Sequence, residues 1–181
     1  MAPNPYQIEE DLRARSLIIG LQDKPRLPGA AVVPPTATAR YFEFYAGAAD
    51  KLHGQVIPYL DGYSVNVHRV PYGVTAHIIP WNYPAQQFGR SVGPALAVGN
   101  AAVVKPSEDA CLTTLVMSQL ALEAGLPAGA LNIVAGLGDK AGAALANHPH
   151  INFMSFTGSP RVGTLVQQAT ATHFVGCTLE L

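Results

Sequence analysis

The chain has 181 residues, a formal net charge of -1, 49% hydrophobic residues and only 13% charged ones. That length suffices for one domain with a buried core, and near-neutral charge with no basic block gives no electrostatic basis for binding nucleic acid or an anionic membrane surface. The charged share is about half the usual quarter, so part of the surface is expected to be covered by other protein, either further polypeptide or partner subunits.

The opening residues MAPNPYQIEE hold two acids and no apolar run, which argues against a secretory signal. Residues 70–89 and 141–160 lack Asp, Glu, Lys and Arg, but each contains at least two prolines plus Asn, so neither reads as a membrane span. The two cysteines, Cys111 and Cys177, suit a reduced cytoplasmic protein better than a disulfide scaffold.

In chain order, residues 6–19 read as a short helix and 21–35 as an irregular linker. Thr36 to Leu52 predicts a helix crowded with Tyr41, Phe42, Phe44 and Tyr45, with Gly54 just past its end. Val56–Leu60 and Tyr63–Val70 read as strands of a hairpin turning at Asp61-Gly62, both of which tolerate positive φ. From Gly73 a rhythm begins. Strand-like runs at Val74–Ile79, Ala102–Lys105, Leu131–Val134, Phe153–Phe156 and Phe174–Leu179 alternate with helix-like stretches near 84–98, 109–124, 139–147 and 159–170. The second of these helices carries Leu112, Leu115, Val116 and Leu120 at i, i+3, i+4, i+8 spacing. Gly99 and Gly125 stand where helix C-caps belong. The alternation predicts an α/β fold, a Rossmann-like parallel sheet flanked by helices. Ligands on such sheets sit beyond the carboxyl ends of the strands.

Polar or glycine-rich residues follow every predicted strand. They are Pro80-Trp81-Asn82-Tyr83-Pro84, Lys105-Pro106-Ser107-Glu108, Gly136-Leu137-Gly138, Thr157-Gly158-Ser159, and finally Glu180. The G-x-G-x-x-G dinucleotide signature is absent. The runs IIPWNYP, GPALAVGNAAVVKPSE, EAGLPAGALNIVAGLG, SFTGS and the final LEL resemble, in order and spacing, those of the NAD(P)-dependent aldehyde dehydrogenase superfamily. The likeness extends from about Tyr41 to Leu181. It implies three segments: an N-terminal helical flank of the cofactor-binding domain (1–52), an oligomerisation hairpin (53–71), and a Rossmann-like NAD-binding domain (72–181). Family members are more than twice this length, so the catalytic domain with its nucleophilic cysteine is expected to lie outside these residues.

The resemblance also implies roles. Asn82 would donate its side-chain amide to a developing oxyanion, a contribution that can reach about 3–4 kcal/mol; alone, an Asn here also suits a turn. Glu180 would be the general base that activates the hydrolytic water, although in this chain it is expected to be a solvated, fraying terminal residue. Ile78 and Trp81 would contact the cofactor, Trp81 near the diphosphate, with core packing as its alternative. Lys105 and Glu108 would hold the adenosine ribose, and a carboxylate there favours NAD over NADP; Glu108 could instead complement a helix dipole. Gly138 would let backbone approach the adenine side, or simply serve a turn. Ser159 would contact the diphosphate at a helix start, or simply cap that helix. Cys177 sits at an apolar strand position and reads, like Cys111, as a buried small hydrophobe rather than the nucleophile. His148 and His150 lack the neighbours for a metal site.

The implied function is NAD-dependent oxidation of an aldehyde to a carboxylic acid by a homo-oligomeric parent enzyme, dimer or tetramer. A second reading is a truncated, non-catalytic nucleotide-binding or subunit-interaction protein; whether the reading frame continues with GGK separates the two.

Overall fold

A computed structural model describes residues 35–181. The helix read at 6–19 lies outside the described residues, as does the linker read at 21–35 apart from Pro35. That proline opens α1, Pro35–Ala48, which a 3-10 turn at Ala49–Lys51 continues. The strands β1 (Gln55–Ile57) and β2 (Val65–Val67) then pair antiparallel, Val56 opposite Asn66. The expected hairpin is present, but its strands end earlier than the sequence suggests. Pro58 follows β1 directly and has no N–H to offer the ladder. Residues 58–64 form the loop instead. Within it Tyr63 N–H donates to Leu60 O at 3.2 Å, and of the Asp-Gly pair only Gly62 takes positive φ, +86°.

The predicted rhythm follows: β3 (Val74–Ile79), α2 (Pro84–Ala97), β4 (Ala101–Pro106), a 3-10 turn (Glu108–Ala110), α3 (Cys111–Glu123), β5 (Leu131–Ile133), a π-helical turn (Gly138–Gly142) leading into α4 (Ala143–Ala146), β6 (Phe153–Thr157), α5 (Pro160–Ala171) and β7 (Gly176–Glu180). The five strands lie in the order β5-β4-β3-β6-β7, every neighbouring pair parallel. The chain builds outward from β3 to β5, then crosses back to place β6 on the other side of β3. The carboxyl ends of β3 and β6 therefore flank the crevice where strand order reverses, the place where such sheets bind ligands.

Local chemistry sets the helix ends. Pro84 and Pro160 open α2 and α5 at positions that need no N–H. Gly99 (φ +85°) ends α2 in a Schellman arrangement, with Gly99 N–H donating to Leu96 O and Asn100 N–H to Ala95 O, each at 3.0 Å. Gly125 does the same for α3. After α5 the equivalent left-handed position is held by Phe174, φ +56°. This delays β7 to Gly176, two residues later than the predicted start.

Two cores sandwich the sheet. On one face Ile79 and Val104 pack with Phe42 of α1, Phe88 and Val92 of α2, and Met117 and Leu120 of α3. On the other, Ala76, Met154 and Phe156 pack with Leu145 of α4 and Val166 of α5. The buried face of α3 is Thr114, Met117, Leu120 and Ala121. Of the periodic set read from the sequence only Leu120 is buried; Leu112, Leu115 and Val116 are exposed. The helix is apolar nearly all round, so spacing alone does not say which stripe meets the sheet.

Candidate active site

The most closely knit group stands at the carboxyl ends of β3 and β4. Ile78 and Lys105 are register partners across the ladder, and Ile78 packs into the core shared with α4 and α5. Lys105 is 3% exposed, so its ammonium requires a partner. It donates from Nζ to Glu108 Oε2 at 2.9 Å, one turn further on. Glu108 itself stays half-exposed. Its carboxyl is held below the usual range, first by its own backbone N–H, then by Lys105, with a smaller contribution from the N–H of Gly138. Residues from β4, the following turn and the loop after β5 thus converge on one ionised carboxylate. A methyl group added at Gly138 would meet nothing within 4 Å, whereas one at Gly136 would meet Ala141 Cβ at 2.8 Å. Open space therefore lies beside Gly138. No positive φ is needed there, so the turn does not itself demand this glycine. A half-exposed, ionised carboxylate bordering open space fits a vicinal diol such as a ribose.

Thr157-Gly158-Ser159 leaves β6 at the reversal crevice. Ser159 caps α5, its Oγ accepting from Val162 N–H at 3.4 Å. A Cβ at Gly158 would meet the Phe156 ring at 2.6 Å, so the backbone runs hard against that ring. Across the crevice, Trp81 and Asn82 follow β3. Both are exposed, Trp81 at 65%, so core packing does not account for the tryptophan.

Glu180 lies on the opposite face of the sheet from Lys105. It is the last residue of β7, paired in register with Thr157. Strand alternation sends Cys177 and Leu179 towards the α5 core, and Thr178 and Glu180 towards the α2 side. Glu180 is exposed, in keeping with the expectation of a solvated residue, but it does not fray. It is held in the strand, about half exposed, and forms an ion pair with Arg90 of α2. Both line a cavity of about 460 Å³ on the half-sheet made by β6 and β7, with His77, Ser155, Thr157 and Thr178. Lys105, Glu108, Gly138 and Ser159 are not part of its lining.

His77 is 4% exposed, with Nε2 2.9 Å from Thr75 Oγ1. That hydroxyl already donates to Ala101 O at 3.0 Å, so the imidazole donates from Nε2. Nδ1 is then an acceptor, buried without a partner among the described residues. Burial pushes the His77 pKa down to about 4, and the ring is neutral at pH 7. The motifs single out neither His77 nor Arg90. The one sequence signal for Arg90 is that it is the sole charged residue of α2.

Both thiols are free and half-buried rather than buried. Burial pushes the Cys177 thiol up, and its side chain faces α5, away from Glu180. Cys111 opens α3. The rings of His148 and His150 meet edge to face at 5.5 Å, and no cluster of His, Cys, Asp or Glu among the described residues could hold a metal.

The chain matches the aldehyde dehydrogenase family over residues 29–181, and it belongs to that family. It is 46% identical over 147 residues to hydroxyisobutyraldehyde dehydrogenase of Mycolicibacterium austroafricanum, covering 81% of this chain and 29% of the relative. A Burkholderia cenocepacia crystal structure assigned to aldehyde dehydrogenase superimposes with a TM-score of 0.86 at 56% identity, over 97% of this chain and 38% of the other. The NAD+ complex of aldehyde dehydrogenase from Bacillus cereus superimposes with a TM-score of 0.87 at 33% identity, over 99% of this chain and 39% of the other. The chain thus spans roughly a third of the length of these relatives.

Proposed function

We propose that these residues form the cofactor-binding part of an enzyme that oxidises an aldehyde to a carboxylic acid with NAD. The observation that carries the reading is the Lys105–Glu108–Gly138 group, built beside open space at the carboxyl edge of a parallel sheet. When bound, the dinucleotide supplies the hydride acceptor. Glu108 accepts from the ribose hydroxyls while Lys105 neutralises it from below. The same carboxylate repels a 2′-phosphate, which favours NAD over NADP. Ile78 and Trp81 border the cofactor, and the N–H groups at the start of α5 with Ser159 face its diphosphate. Asn82 supplies a neutral donor for an oxyanion, and Glu180 accepts a proton from the hydrolytic water. In this division residues 1–52 flank the cofactor domain, 53–71 serve oligomerisation and 72–181 bind NAD. The parent enzyme is a cytoplasmic homo-oligomer, a reading supported by the two unpaired thiols and the exposed apolar hairpin. No described helix is long and apolar enough to cross a membrane.

The attacking thiolate is not among these 181 residues. Covalent catalysis needs a thiolate within reach of the carbonyl carbon. Cys177 lies on the far face of β7 from Glu180, and Cys111 opens a helix beyond the ribose group. The test is NADH production from short and aromatic aldehydes by the purified chain. No turnover is expected. Turnover lost on Cys177→Ser would show that Cys177 is the nucleophile and that this account is wrong.

A further inference from the structure

We propose that Lys140 is a specificity-determining residue at the adenosine end of the cofactor site, a counter-charge that makes the rejection of a 2′-phosphate by Glu108 partial rather than absolute. The proposal rests on the reading of Lys105, Glu108 and Gly138 as the ribose site. The N–H of Gly138 faces the Glu108 carboxylate. Gly138 also opens the π-helical turn Gly138–Gly142, so Lys140 stands two residues further along the same turn. Cα atoms two residues apart in a helix are separated by about 5 Å, a distance that the flexible four-carbon stem of a lysine covers. The turn fixes the backbone at this point, because the N–H groups of Lys140 and Ala141 both donate to Leu137 O, at 3.2 and 2.9 Å. The side chain is exposed and forms no ion pair with any described residue. Open space lies beside Gly138 for its ammonium to enter.

The charges carried by the two turns that border the site are Glu108, Asp109, Asp139 and Lys140, with Lys105 beneath them. Lys105 cannot turn to a phosphate. It is 3% exposed and its Nζ is bound to Glu108 at 2.9 Å, so moving it would strip the carboxylate of its partner. The three acids repel a phosphate. Lys140 is the cation left to meet one. A ribose with free hydroxyls asks nothing of Lys140, because Glu108 accepts from the diol. A 2′-phosphate meets three acids and one mobile cation, so it binds less well than the diol and depends on that cation for what affinity it has.

The experiment is a set of NMR chemical-shift titrations of the 181-residue chain with 5′-AMP and with 2′,5′-ADP, which carry the adenosine end of the two dinucleotides without the nicotinamide. Wild type should bind both, 5′-AMP more tightly. Lys140→Ala should weaken 2′,5′-ADP about fivefold, the size of an exposed charge pair, and leave 5′-AMP unchanged. Lys140→Arg should retain 2′,5′-ADP, and about 1 M NaCl should shrink the difference between wild type and Lys140→Ala. Equal losses for the two nucleotides, or an unchanged affinity for 2′,5′-ADP in Lys140→Ala, overturn the proposal. Those results remove the role of Lys140 and leave the ribose site standing, since 5′-AMP still binds wild type. Binding of neither nucleotide to wild type removes the ribose site and the proposal with it.

Discussion

Acid should destabilise this domain through His77. The ring sits 4% exposed between Thr75 and the cavity, and burial lowers its pKa from 6.5 to about 4. In the unfolded chain the same imidazole protonates near 6.5. Between those values the unfolded state binds a proton that the folded state refuses. Stability is therefore complete above pH 6.5 and falls as pH drops towards 4, at up to about 1.4 kcal/mol per pH unit. The whole window amounts to about 3 kcal/mol, a large share of the 5–15 kcal/mol or so that holds a typical domain. Urea unfolding at pH 7.5, 6.5, 5.5 and 4.5 measures it, with His77→Gln as the control. Gln keeps a donor for Thr75 but does not titrate, so the variant should lose most of the slope. An equally steep loss in His77→Gln, or an NMR midpoint for His77 above 6, would refute the reasoning.

Glu108→Gln should weaken NAD binding and also lower stability by about 1–3 kcal/mol, because it leaves the buried Lys105 ammonium facing a neutral amide; calorimetry and urea unfolding separate the two effects, and an unaltered affinity would count against the ribose contact. Phe174→Gly should stabilise the domain by roughly 1 kcal/mol. The phenyl ring is 98% exposed while its backbone is left-handed; a lower urea midpoint would contradict this. The hairpin carries Val56, Tyr59, Leu60 and Tyr63, all more than half exposed, and should drive self-association. Sedimentation velocity should show oligomers that Tyr59→Ser with Tyr63→Ser reduces, and a monomer at high concentration would exclude the role.

The parallel sheet was legible because apolar runs short enough for strands alternate with helical stretches, two of which are closed by a glycine, Gly99 and Gly125. The convergence of Lys105, Glu108 and Gly138 was legible because each stands at or just after the carboxyl end of its strand. What escaped depends on tertiary partners. The helix Cys111–Glu123 is apolar on most sides, so only the sheet decides that Met117 and Ala121 face inward. The hairpin ends early because Pro58 breaks its ladder, a local effect outweighed in the reading by the Asp61-Gly62 signal. The Arg90–Glu180 pair joins residues 90 positions apart on different elements, and nothing in the spacing of either motif announces it.

The central claim, that this part of an aldehyde dehydrogenase family chain is a working NAD site, is tested most directly by calorimetric titration of the 181-residue chain with NAD. The account predicts saturable heat at one site per chain, accompanied by a change in the fluorescence of Trp81, with weaker binding of NADP. No heat from a chain shown to be folded would contradict it.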